Sequence, residues 1–319
     1  MYLMRKSWII FLIALVVLSG CTSSVSNPYN SGVLMQDPQS YILTKQNPFP
    51  DSSTQIRFDV VNYGQEPVPR AEIKFFDTAG LKVSNLDCQG GTRTDTYTCV
   101  FNNIASLDKR HVEITLATPA AAQILSPTDF TIAYSISFDY SGFRRMTIPI
   151  FDYSKENQPE TKYSISDPPV SPIEVDFDPP VGSITKQGNQ EITEYYAAKG
   201  DPFEVRMTFK QAVQTEVPTN ITGDQIKLNL LGLNIDPSSY CDFNSDLTAK
   251  NTLSVTQSPV ALSCYFVSQP FSTAEMTGTV DISYAFTFTV IKTETISVVP
   301  RGTVTQTTSA AEGGNNIAP

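Results

Sequence analysis

The sequence predicts an all-β protein with two tandem antiparallel β-sandwich domains behind a short N-terminal leader. Three observations carry this. FTIAYSISFDY (residues 130–140) and VDISYAFTFTV (280–290) alternate apolar and polar residues without a break, the period-2 pattern of a half-buried antiparallel strand. The same features recur in the same order along the chain. Finally, 22 Pro, together with Gly, Asn and Asp, cut the apolar segments into short runs, and no long window has a helical period. A sheet with one apolar face must be covered, and here a second sheet is the available cover.

Residues 1–20 read as a signal peptide. Arg5 and Lys6 form a positive start, and Trp8 to Leu18 form an apolar run. A spanning helix needs about 20 apolar residues, and this run is close to half of that. Leu18-Ser19-Gly20-Cys21 resembles the lipobox of prokaryotic lipoproteins. The resemblance implies a diacylglyceryl group on the Cys21 thiol and a cut before Cys21. Membrane lipid, held through Cys21, is then the first expected partner. Residues 21–32 are small and polar and read as a flexible tether.

The first domain is expected over residues 33–152 and the second over 178–300. IRFDVV (56–61) corresponds to FEVRMTF (203–209). AEIKFFDTAGLKVSNLDC (71–88) corresponds to DQIKLNLLGLNIDPSSYC (224–241), with Ile-Lys and the closing Cys at the same spacing. YTCVF (97–101) corresponds to LSCYF (262–266). Each long alternating segment is followed by a further strand, MTIPI (146–150) or ETISVV (294–299), and Ser141-Gly142 reads as a hairpin turn in the first copy. Residues 153–177 are a Pro-rich, semi-stiff linker, and 301–319 lack core-forming residues and are expected to be disordered.

With Cys21 lipidated, four of the five cysteines remain: Cys88, Cys99, Cys241 and Cys264. An even number in an exported chain points to disulfides. Three pairings exist, and Cys88–Cys99 with Cys241–Cys264 keeps each bond inside one domain. A four-thiolate zinc site would need close Cys pairs of the C-x-x-C kind, which the chain lacks.

The formal net charge is −10, and losing Arg5 and Lys6 with the leader takes it to −12. That balance argues against a nucleic-acid partner, which attracts clustered Lys and Arg. Signals for catalysis are sparse. The one histidine, His111, lies in HVEITL on the polar face of a strand, and no phosphate-binding or nucleophile motif occurs. The reading is therefore no enzyme, no catalytic residue, no metal and no cofactor.

Glu174, Asp176 and Asp178 form the densest acidic group. They read as a solvated linker, with an interdomain calcium site as the sharper alternative. Tyr63, Tyr153, Tyr195 and Tyr196 are candidates for a sugar-binding platform. Arg144-Arg145 is a candidate contact patch beside an exposed turn. Asn220-Ile221-Thr222 is a glycosylation sequon expected in a loop.

The whole resembles prokaryotic surface lipoproteins with tandem immunoglobulin-like or CARDB-like domains. The narrower likeness lies in IRFDVVNYGQEPVPRAEIKF: a strand, Asn62-Tyr63-Gly64, a short loop and a strand. The second module carries no Asn-x-Gly. The resemblance implies a lipid-anchored protein on the extracytoplasmic face of the cell membrane, with a structural, adhesive or protein-binding role toward another protein or an envelope component. Two other roles stay open: a subunit of an envelope complex or surface filament assembled by β-strand addition, and a carbohydrate-binding accessory protein.

Overall fold

The computed structural model describes residues 32–154, 162–168, 170–187, 190–213, 215 and 217–301. The leader, Cys21, most of the tether and residues 302–319 lie outside that range. The strands are, in chain order, β1 (Leu34–Gln36), β2 (Ile42–Leu43), β3 (Ser53–Asn62), β4 (Val68–Asp77), β5 (Lys82–Gln89), β6 (Thr92–Arg93) and β7 (Thr98–Ile104). Then come β8 (Lys109–Ala117), β9 (Thr128–Phe151), β10 (Ser164–Ile165), β11 (Ile173–Asp178), β12 (Val181–Gln187), β13 (Gln190–Tyr195) and β14 (Ala197–Ala198). The last are β15 (Phe203–Gln211), β16 (Thr219–Ile221), β17 (Ile226–Leu231), β18 (Leu233–Ile235), β19 (Leu253–Val255), β20 (Val260–Ser268) and β21 (Glu275–Val298). Among the described residues there is no α-helix, only two single 3-10 turns.

The fold is all-β with several sheets, none of them closed on itself. At the centre, β9 and β21 run antiparallel over their whole length, from Thr128↔Val298 to Phe151↔Glu275. They lie inside an eight-stranded sheet of order β17-β21-β9-β4-β7-β6, with β10 and β14 also on β9. A five-stranded sheet, β1-β3-β8-β5 with β2 on β3, and a four-stranded sheet, β11-β15-β20-β18, complete the main layers. The two orders match strand for strand, as do β4-β9 and β17-β21.

The alternation in the sequence sets the buried face. Ile132, Tyr134, Ile136, Phe138, Tyr140, Met146, Ile148 and Ile150 of β9 are all buried. Phe58 of β3 stacks on Tyr134 at 5.0 Å between ring centres. Toward the other end, Phe209 of β15 meets Tyr284 of β21 edge to face at 6.0 Å. The five-stranded and four-stranded sheets therefore meet the same face of the central pair at different places. On the opposite face, Ser137 hydrogen-bonds Thr289 (2.9 Å) and Thr287 donates to Asp139 (2.8 Å). Such cross-strand polar pairs are the sheet's counterpart of helical i, i+4 contacts.

Four expectations change. Ser141-Gly142 is not a hairpin turn, because β9 runs straight through it; MTIPI and ETISVV are the far ends of β9 and β21. Gly142 lies directly across from Tyr284. A Cβ at 142 would come within 2.4 Å of the Tyr284 ring, so the glycine makes room for an aromatic neighbour and no reversal occurs. The expected linker, 153–177, takes in all of β11 but its last residue, and Ile173, Val175 and Phe177 are buried. YTCVF and LSCYF are not equivalent in the fold: β7 pairs with β4 in the central sheet, whereas β20 pairs with β15 outside it. By strand order the counterpart of β20 is β8. Finally, the segments expected as separate domains share the β9–β21 ladder.

Candidate binding surfaces

Asn62-Tyr63-Gly64 forms a buried polar knot. The Asn62 Oδ1 accepts from the N–H of Val33 (3.0 Å) and of Gly64 (2.9 Å). Its Nδ2 donates to the carbonyls of Ile104 (3.0 Å) and Glu66 (2.7 Å). A fully buried amide thus meets its whole hydrogen-bonding capacity and ties together the ends of four segments. Gly64 is needed for close approach: a Cβ there would lie 2.5 Å from the Cα of Gly32. Tyr63 itself is exposed at the surface.

The cysteines form two bonds, Cys88–Cys99 and Cys241–Cys264. The first joins β5 of the five-stranded sheet to β7 of the central sheet. The second fastens the long loop after β18 to β20. That loop walls a pocket of about 640 Å³ lined by Asn234, Asp236, Phe243, Asn244, Lys250 and Gln269, among others. The Asp236 carboxylate accepts from the Ser239 and Ser238 hydroxyls and the Ser238 N–H. These bonds, the Ser239 hydroxyl foremost, hold it below the usual carboxylate range. Lys250 Nζ donates to the Cys241 carbonyl at 2.6 Å, so its charge is fixed at the pocket wall. The pocket presents amides, one carboxylate and one ammonium, a set suited to holding a polar ligand by hydrogen bonds.

A smaller apolar pocket, about 170 Å³, opens between β1 and Val213, with Ile136, Phe138, Phe288 and Val290 among its walls. Phe138 and Phe288 meet edge to face at 5.7 Å in its lining. Met35 and Lys292 also line it.

The remaining candidates scatter. His111 faces Asp59 across β3–β8, Nδ1 to Oδ1 2.9 Å, on the polar side of the strand as its alternation predicts. Glu174, Asp176 and Asp178 share the exposed face of β11, opposite Lys210, Thr208 and Arg206 of β15. They are strand residues facing a partly basic neighbour, and no solvated linker. Among the described residues no group of three or more His, Cys, Asp or Glu side chains is placed to hold a metal ion.

Arg144, expected beside an exposed turn, is instead 4% exposed on the core face of β9, with Asp176 3.6 Å away. Arg145 points to the other face and grips Asp281 of β21 with Nε (2.7 Å) and Nη2 (2.8 Å). The two arginines therefore form no common patch. Tyr195 and Tyr196 also part: Tyr195 packs on Tyr163 at 5.3 Å, and Tyr196 meets Phe151 and Tyr153 edge to face. No flat two-ring platform results from the Tyr195-Tyr196 pair. Asn220 is exposed in β16, a short strand where a loop was expected. Cys21 lies outside the described residues.

Sequence reasoning missed the polar pocket and the Asn62 knot. The Asn-x-Gly spacing signalled a special backbone at 62–64, but two of the four partners of Asn62, Val33 and Ile104, come from distant positions.

No family model matches this sequence, and no curated protein does. Among solved structures, the chain is similar to a DUF4466 family protein from Parabacteroides merdae, at 10% identity. That match covers 82% of this chain and 100% of the other, with a TM-score of 0.21, too loose a likeness to carry an argument.

Proposed function

We propose that this chain is a lipid-anchored, extracytoplasmic protein with a structural or binding role. One observation carries the reading: four of the five cysteines are bonded in pairs, and the fifth is Cys21, at the end of the apolar leader in Leu-Ser-Gly-Cys. Paired cysteines fit an oxidising compartment, and a single cysteine at that position fits lipid attachment. The body is read as two tandem immunoglobulin-like sandwiches that share their central sheet. The first would be closed by β1-β3-β8-β5 and the second by β11-β15-β20-β18; the matched strand orders support a duplicated module. The β9–β21 ladder makes the body one stiff piece, suited to holding a binding surface away from the bilayer. Its partner would be a protein or envelope component.

The test is detergent-phase partitioning of the protein from its own cells. The wild type is expected in the detergent phase and Cys21→Ser in the aqueous phase. Equal partitioning of both would remove the anchor.

A carbohydrate ligand is the second reading, favoured by the polar pocket behind the Cys241–Cys264 loop and no longer by Tyr195 and Tyr196. A glycan screen with Asn234→Ala and Gln269→Ala tests it: binding by the wild type that both variants lose supports the reading, and wild-type silence removes it.

A further inference from the structure

We propose that the free edge of β21 is an interface between two copies of this chain, paired antiparallel about Thr293. Past the reach of β17, which ends at Tyr284, β21 pairs with β9 on one side, and among the described residues no strand pairs with it on the other. On that outer side the Thr215 hydroxyl donates to the Thr289 carbonyl (3.2 Å), and the Val299 N–H donates to the Pro48 carbonyl (3.1 Å). Along the stretch between, Ile291 to Val298, no described strand pairs with this flank.

The direction of its backbone groups follows from the neighbouring strands. Ser166 N–H donates to the Arg145 carbonyl (2.8 Å) on the flank of β9 away from β21. Odd-numbered residues of β9 therefore point away from β21. Odd pairs with odd across the ladder, as in Arg145↔Asp281, so odd-numbered residues of β21 point outward. Ile291, Thr293, Thr295 and Ser297 thus present N–H and C=O groups that no other described residue takes up. Ile291, Thr293 and Thr295 are also exposed. Such a row is a template for another strand.

Charge points to a second copy as that strand. Antiparallel pairing about Thr293 sets Lys292 of each copy opposite Glu294 of the other, twice over. It also sets Val290 opposite Ile296 and Ile291 opposite Thr295. Shifting the register by one step either way sets Lys292 against Lys292 or Glu294 against Glu294, which is destabilising. The edge is thus self-complementary in one register, as a two-fold interface must be. A lone Lys on an edge commonly blocks strand addition; here the Glu294 carboxylate, which also accepts from the Tyr41 hydroxyl of its own chain, stands opposite it. The inference goes beyond the functional reading and holds whether or not Cys21 carries lipid.

The test is sedimentation equilibrium of the full chain in detergent. The wild type should be a dimer. Thr293→Pro deletes an outward N–H while leaving the ladder to β9 intact, a placement that edge strands tolerate. It should be monomeric with an unchanged far-UV circular dichroism spectrum. Lys292→Glu and Glu294→Lys should each weaken the dimer about tenfold or more, and the double swap should restore it. A wild type that stays monomeric at every concentration overturns the proposal. So does a dimer indifferent to Thr293→Pro, or a double swap no better than the single changes. If Thr293→Pro does not fold, the charge series decides alone.

Discussion

Replacing Gly142 by Ala tests whether β9 runs unbroken beside β21. The new Cβ would lie 2.4 Å from Cζ of Tyr284, 2.5 Å from Cε2 and 2.6 Å from the hydroxyl oxygen, whereas ordinary contact begins at 3.4 Å. The ring must retreat by about one ångström, and its neighbours resist. Tyr284 is stacked on Phe286, meets Phe209 edge to face and lies against Tyr140. Overpacking of this kind costs about 1–3 kcal/mol. Against it stands a gain of about 0.4–1 kcal/mol, because Ala narrows the unfolded chain's freedom. The net expectation is a loss of about 1–2 kcal/mol. The assay is the shift of the urea midpoint, with Tyr284→Leu and the double variant completing a cycle. Tyr284→Leu leaves space that the new methyl group partly fills, so the double variant should be more stable than the sum of the two losses by about 1 kcal/mol. A Gly142→Ala variant as stable as the wild type, with no coupling to position 284, would place 142 in an exposed turn, away from the Tyr284 ring.

Three further outcomes are expected. Asn62→Ala leaves the Val33 and Gly64 N–H groups and two carbonyls without their partner, and should cost about 2–4 kcal/mol in the same assay; a loss under about 1 kcal/mol would contradict the knot. Reducing the two disulfides, which close loops of sequence separation 11 and 23, should cost about 3 kcal/mol each in the chain-entropy model, read as the midpoint difference between oxidised and reduced protein. The third concerns acid. Lys199 Nζ donates to Asp152 at 2.8 Å, and this bond, with those from Ser154, holds the Asp152 carboxyl well below its ordinary range. A carboxylate depressed in the folded state stabilises above its unfolded pKa, about 4, and that contribution fades as the pH falls through the lower folded value. Asp152→Asn should therefore flatten the fall of melting temperature below about pH 4, and an unchanged acid limb would show that the pair contributes nothing there.

Strand identity was legible because side chains alternate across a sheet, and the buried face of β9 follows its even-numbered residues from Ile132 to Ile150. The same periodicity held two signals that other cues hid. Arg144 is in phase with Tyr140 and Met146, hence on the core face, but its charge suggested the surface. IEVDFD (173–178) alternates strictly inside a segment whose prolines suggested a linker. The pairing of β9 with β21 was not legible, since alternation says which face is buried and not which strand lies alongside. Gly142 shows the consequence: next to Ser141 it looks like a turn, and only Tyr284, far along the chain, explains it. The polar pocket stayed hidden for the same reason, because residues from the loop at 234–250 meet Gln269 only once the Cys241–Cys264 bond and β20 are in place.

Attachment of the proposed kind, through lipid on Cys21, is decided by intact-mass measurement on protein extracted from its own membranes. The expected mass is that of a chain beginning at Cys21, carrying a diacylglyceryl group and lacking four hydrogens for the two disulfides. A chain that retains residues 1–20, or one that begins at Cys21 with a free thiol, would contradict it.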